Sequence, residues 1–169
     1  MRDGGLVALT FCAALACGLV SGAFFAFSAF VMKGLARLPP GQGIAAMQSI
    51  NVTAVTPLFM TALFGTGALC VALAVFSLPA WPRPGAVSVI AGSLLYLLGT
   101  ILVTIAFNVP RNDALARVDA ESEDGARLWT AYLRSWTAWN DVRTIAALTA
   151  AALLTAALCL HDGRGAVGG

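Results

Sequence analysis

Charge is what this sequence lacks. Only 11% of its 169 residues are Asp, Glu, Lys or Arg, against about 25% in an ordinary soluble domain. None falls between Asp3 and Lys33, between Arg37 and Arg83, between Arg83 and Arg111, or between Arg143 and Asp162. Each interval can hold a bilayer-crossing helix, which takes about 17–25 mostly apolar residues. Histidine is nearly absent: His161 is the only one. The four cysteines, Cys12, Cys17, Cys70 and Cys159, all lie in apolar runs and form no Cys-x-x-Cys pair. These scarcities give no metal-ligand spacing and no redox motif, so no metal and no cofactor are expected, and the cysteines read as small hydrophobes. A net charge of +2 without a basic cluster gives no footing for nucleic acid.

What is present is apolar: 59% hydrophobic residues and a mean hydropathy of +0.85. The pattern predicts an all-α fold, a four-helix transmembrane bundle in one domain over residues 1–169. Spans are expected at about 6–32, 57–78, 86–107 and 141–160, with interfacial helical segments at about 42–56 and 126–140. Helices two and four would thus extend beyond the membrane on one face. The first run is too long for the apolar core of a signal peptide, about 7–15 residues, and reads as a retained helix. Its Gly18-x-x-x-Gly22 spacing suits close helix packing in lipid.

Turns fall at Pro39-Pro40-Gly41 and across Pro79–Gly85. Pro57 is read as a kink in one continuous second helix from about Gln42 to Leu78, and span three is expected to end at Asn108–Asp113. Ser122 and its acidic neighbours would cap the last helix. Alternation of direction gathers Lys33, Arg37, Arg111, Arg117, Arg127, Arg134 and Arg143 at one face and leaves Arg2, Arg83 and Arg164 at the other. A multi-pass protein of the cell membrane is expected, with both termini outside and the longer loops in the cytoplasm.

The same alternation collects the unusual polar residues. Gln48 and Asn51 share one helical side, Asn108 and Asn112 flank the exit of span three, and Trp136, Asn140 and Arg143 form one stripe. Trp129 and Tyr132 extend that stripe. Unpaired amides and guanidinium groups are costly in hydrocarbon, so they should face one another. Two readings stand side by side. The amides either glue helix ends while the aromatics sit in the interfacial belt, or the group is the polar end of an otherwise apolar ligand pocket.

The segments Ser21-Gly22-Ala-Phe-Phe-Ala-Phe-Ser28, Asn108-Val-Pro-Arg-Asn112 and Trp136-x-x-x-Asn140-x-x-Arg143, in that order around four spans, resemble the anthrone oxygenase family of small membrane proteins. The resemblance covers nearly the whole chain. It implies four helices, and it implies oxidation of a lipophilic aromatic substrate, an anthrone, by dioxygen without metal or flavin. Arg143, Asn140 and Asn108 would then be catalytic, stabilising the oxyanion of the deprotonated substrate. Trp136, Asn112, Gln48, Asn51, Phe25 and Ser28 would line the substrate site, with the Phe24–Phe30 region stacking the rings. No general base stands out: Asp141 lies about 100° round the helix from Asn140. Partners would be the lipid bilayer, a hydrophobic aromatic small molecule and further copies of the chain. The alternative is a non-enzymatic membrane binding or scaffold protein, or a subunit of a larger complex. Transport is disfavoured because no span carries a central Asp, Glu or Lys.

Overall fold

The computed structural model describes residues 4–162, and every described element is helical. Helix α1 covers Gly4–Leu35, α2 Pro40–Thr53, α3 Pro57–Ala80, α4 Pro84–Ala116 and α5 Glu123–Asp162. Four of these, all but α2, are long and apolar enough to cross a membrane.

Proline starts three of the five. Pro40, Pro57 and Pro84 each occupy the first turn of their helix, where the missing N–H would have had no partner. The residue before each proline is pushed towards extended backbone, which separates one helix from the next. At Thr56 this breaks the expected continuous second helix: its φ of −99° and ψ of 151° end one segment, and its hydroxyl accepts from the Phe59 N–H at 3.2 Å. Residues 42–78 are therefore two helices with a break at Ala54–Thr56, not one kinked rod. Ser122 caps α5 as expected, accepting from the Gly125 N–H at 2.9 Å.

The third span corrects a second expectation. Helix α4 does not end within Asn108–Asp113; it runs through Pro110 to Ala116. A π-helical turn at Thr104–Asn108 lies just ahead of the proline, and its wider winding absorbs the missing donor and the ring that would break a regular α-helix. At ~1.5 Å per residue the 33 residues of α4 reach roughly 50 Å, so α4 as well as α5 projects past a hydrocarbon layer of ~30 Å.

The spanning helices alternate in direction and pack in a ring, α1 on α5, α5 on α4, α4 on α3 and α3 on α1. Two apolar clusters result. One fills the middle of the bundle with Cys17, Val20, Phe24, Leu63, Cys70, Leu73, Tyr96 and Leu154. The other lies at the projecting end, where α2 covers the bundle and Met32, Ile44, Met47, Leu115, Trp129, Tyr132 and Trp136 meet. Close helix approach is marked at Gly99 of α4 rather than at the Gly18-Gly22 pair. A Cβ at Gly99 would collide with Ala146 of α5, whereas one at Gly18 or Gly22 would meet nothing within 4 Å.

Candidate functional site

Between the two apolar clusters lies a layer of polar side chains centred on Arg143. Burial is nearly complete: Arg143 is 5% exposed, Asn108 1% and Asn140 0%. Three helices contribute, as the stripe on α5 requires. Asn140 stands one turn before Arg143 and accepts from its Nη2 at 2.6 Å. The Asn140 amide donates to Phe24 O and to Ser28 Oγ of α1, both at 2.7 Å. From α4, Thr104 Oγ1 accepts from Arg143 Nη1 at 3.2 Å, and Asn108 Nδ2 donates to Trp136 O at 3.2 Å. The guanidinium lies over the Phe24 ring at 4.1 Å and near the Trp136 ring at 5.3 Å, so aromatic faces share in holding the charge.

Two polar atoms in this layer have no partner: Asn108 Oδ1 and Arg143 Nε. Among the described residues the ion pairs are those of Arg127 with Glu123 and Asp124, at the exposed start of α5. No described carboxylate therefore neutralises Arg143. Asp141 is exposed on the other side of α5.

A second layer sits above. Asn112 Oδ1 accepts from Tyr132 Oη at 2.9 Å and from Trp136 Nε1 at 2.7 Å. This fixes an aromatic stack in which Trp129 and Tyr132 are 5.6 Å apart and Tyr132 and Trp136 6.0 Å. Asn51, half-buried on α2, lies against the Tyr132 hydroxyl. Arg111 donates to Ser135 Oγ at 3.1 Å and to Phe107 O at 2.6 Å.

The residues expected at the site are thus brought together in part. Asn108, Asn140, Arg143, Trp136 and Ser28 form one connected group, and Asn112 and Asn51 lie one layer out. Gln48 does not join them. Its amide donates to Leu115 O at 2.9 Å and Val118 O at 3.1 Å, tying α2 to the end of α4. Phe25 turns outward and is 60% exposed; Phe24 takes the inward place. Thr104 was not anticipated, although Thr100, Thr104 and Asn108 recur every four residues and so share one helical side. Nor were the π-helical turns at Phe27–Val31 and Thr104–Asn108, which contain Ser28, Thr104 and Asn108. Such turns occur frequently at functional sites.

An apolar groove of about 260 Å³ lies between α1 and the start of α3, lined by Leu19, Val20, Ala23, Thr56, Leu58, Phe59 and Ala62. Its Phe59 meets Phe24 edge-on, with ring centroids 6.3 Å apart. Phe24 in turn lies against Arg143, so two aromatic rings in contact lead from the groove to the guanidinium.

No curated protein and no solved structure matches the chain. A family model described as anthrone oxygenase matches residues 56–153, which takes in α3, α4 and all of the α5 stripe. The matched stretch holds Asn108, Asn140 and Arg143 and is more than half of the sequence; this chain belongs to the anthrone oxygenase family.

Proposed function

We propose that this membrane protein oxidises a lipophilic anthrone-type aromatic with dioxygen, using Arg143 to stabilise the deprotonated substrate, with Asn140 positioning the guanidinium and Asn108 offering its second amide hydrogen. The observation that carries this reading is the buried guanidinium without a described counter-anion. A cation inside a lipid-embedded bundle is expensive unless it is paired. Arg143 is held by neutral groups alone, and its Nε and the nearby Asn108 Oδ1 are unsatisfied. Such a layer has unspent capacity for an oxyanion and its hydroxyl neighbours.

An anthrone is a planar ketone whose benzylic C–H becomes acidic because its loss gives an aromatic phenolate. Placed near Arg143, the oxygen of that anion would gain a charge-assisted hydrogen bond, and the rings would lie against Phe24 and Trp136. The anion passes one electron to dioxygen, the two radicals join as a peroxide anion at the benzylic carbon, and this takes up the proton released in the first step to give the hydroperoxide. Loss of water then leaves the quinone. One dioxygen supplies the new carbonyl oxygen and the oxygen of the water, so atoms and electrons balance without a further reductant. The chain's part is to favour the anion, hold the ring plane and exclude bulk water. No described imidazole or carboxylate touches the layer, so proton loss relies on the substrate's own acidity, raised by the nearby cation. The groove between α1 and α3 gives a greasy substrate an approach from the membrane side, with Phe59 and Phe24 leading on to Arg143.

The test is dioxygen uptake by the purified protein with an anthrone in detergent, comparing Arg143→Met with the unaltered chain. Loss of a preorganised donor of this kind lowers turnover by about 10²–10³-fold. The methionine variant is close in volume but leaves the buried Asn140 Oδ1 without its donor, which costs about 1–3 kcal/mol. Thermal unfolding of Arg143→Met should show that modest loss and a protein that is still folded. Undiminished uptake in a folded Arg143→Met protein would remove the guanidinium from the chemistry and favour the scaffold reading.

A further inference from the structure

A second cavity, of about 360 Å³, lies at the end of the bundle remote from Arg143. Its size falls within the range of about 300–1,000 Å³ common for small-molecule sites. Leu6 and Val7 of α1, Phe76 of α3, Val89 of α4 and Ala157 and Leu158 of α5 supply most of its apolar lining. Leu6 and Phe24 are 18 positions apart on α1, which is roughly 27 Å at ~1.5 Å per residue. The cavity is therefore not an extension of the Arg143 layer.

Two polar residues mark it. Arg83 lines it from the turn between α3 and α4 and is exposed there. Ser77, near the end of α3, lines it too, but is 2% exposed and its hydroxyl has no hydrogen-bond partner. A serine in a helix ordinarily satisfies itself on the carbonyl four residues back, as Thr10, Thr66 and Thr104 do in this bundle. Ser77 does not, and a buried hydroxyl left unpaired is unfavourable. Trp81, in the same turn as Arg83, is exposed and suits the headgroup level of a membrane.

We propose that this cavity binds one anionic glycerophospholipid. The cation lies at the rim, the unpaired hydroxyl is buried further in, and the side chains of the remaining wall are apolar apart from Thr10, whose hydroxyl is bonded to Leu6 O. A phosphate, then an ester carbonyl, then an acyl chain present their groups in that order. Arg83 takes the phosphate, Ser77 turns its buried hydroxyl to donate to one of the two ester carbonyls, and one acyl chain lies between α1, α4 and α5. A free fatty acid has a single polar end and cannot satisfy both positions.

Native mass spectrometry of the whole protein in a mild detergent tests this. Phosphatidylglycerol, phosphatidylcholine with the same chains, and palmitate are added in turn. One phosphatidylglycerol per chain should stay bound in preference to the other two. Arg83→Gln should lower its retention about fivefold, the effect of one basic side chain on an anionic headgroup, and lower that of phosphatidylcholine less, because choline already offsets its phosphate. Arg83 is exposed, so this variant keeps its fold, which thermal unfolding checks. Ala86→Trp, at a half-buried position on the cavity wall, should abolish retention of both phospholipids. Ser77→Ala should weaken both, because both carry the ester. The proposal is overturned if palmitate binds better than phosphatidylglycerol, if Arg83→Gln leaves the headgroup preference intact, or if Ala86→Trp still retains lipid.

Discussion

A guanidinium enclosed by an amide, a threonine hydroxyl and two aromatic faces can wait for an anion, or it can serve as mere glue between helices. Asn140 separates the two roles. Its Oδ1 takes Arg143 Nη2 at 2.6 Å while its amide donates to Phe24 O and Ser28 Oγ. Asn140→Asp would place a negative charge against Arg143 at nearly unchanged shape, while giving up the hydrogen bond its amide donates to Phe24 O. An internal carboxylate at that distance competes directly with a substrate oxyanion, most strongly where water is excluded. Anthrone-dependent dioxygen uptake should fall by about 10²-fold or more, with the protein still folded. Equal uptake would mean that the positive charge of Arg143 is not what the reaction uses. Asn108, Asn140 and Arg143 were legible in the sequence because such groups are rare in an apolar chain and their spacing sets them on facing helix sides. Phe24 and Phe25 were not told apart. Adjacent aromatics on α1 differ only in helical phase, about 100° apart, and which of the two faces inward depends on how α1 is rotated against α5. Thr104 was hidden for another reason: a threonine in a spanning helix usually bonds its own backbone, and this one does so too while also accepting from Arg143.

At the scale of the helix, close approach is concentrated on α4. Gly92 lies under Ala150 O of α5 at a distance of 3.2 Å from an added Cβ, and a methyl at Gly99 would strike Ala146. Ala146, Ala147 and Ala150 are buried along that contact, so α4 and α5 are held backbone to backbone where they carry Thr104 and Arg143. Gly99→Ala should force the two apart and destabilise the protein by ~1–3 kcal/mol, the usual effect of overpacking a tight contact. Gly22→Ala, facing open space, should stay within ~0.5 kcal/mol. Thermal unfolding of the two variants in one detergent compares them, and an equal response would place the tight contact elsewhere. The sequence offered the opposite ranking, because Gly18-x-x-x-Gly22 has the recognised small-residue spacing while Gly92 and Gly99 are seven apart. Spacing identifies a face that permits close approach; which face meets a neighbour depends on how the ring of helices closes. The number of long apolar helices was readable for the converse reason, since the cost of placing charge in hydrocarbon is set by each segment alone.

For the molecule as a whole, the ends of the bundle differ in charge. Lys33 and Arg37 at the end of α1, Arg111 and Arg117 at the end of α4, and Arg127 and Arg134 in the first part of α5 lie at one end. At the other end Arg83 is the one cation among the described residues. Basic residues close to spanning segments are retained on the cytoplasmic side, while acidic ones such as Asp119 and Glu121 count for little. The end capped by α2 should therefore face the cytoplasm and the turn at Trp81 the outside. The cavity lined by Ser77 and Arg83 would then open at the outer leaflet, and the Arg143 layer would sit towards the inner one. Single cysteines at the two ends decide this, in a chain whose four native cysteines are replaced by alanine. A membrane-impermeant maleimide added to intact cells should label Trp81→Cys. Glu121→Cys, in the exposed turn before α5, should react only after the cells are opened. The reverse pattern would invert the protein in its membrane, and the greasy groove between α1 and α3, close to the α2 end, would then draw its substrate from the outer leaflet.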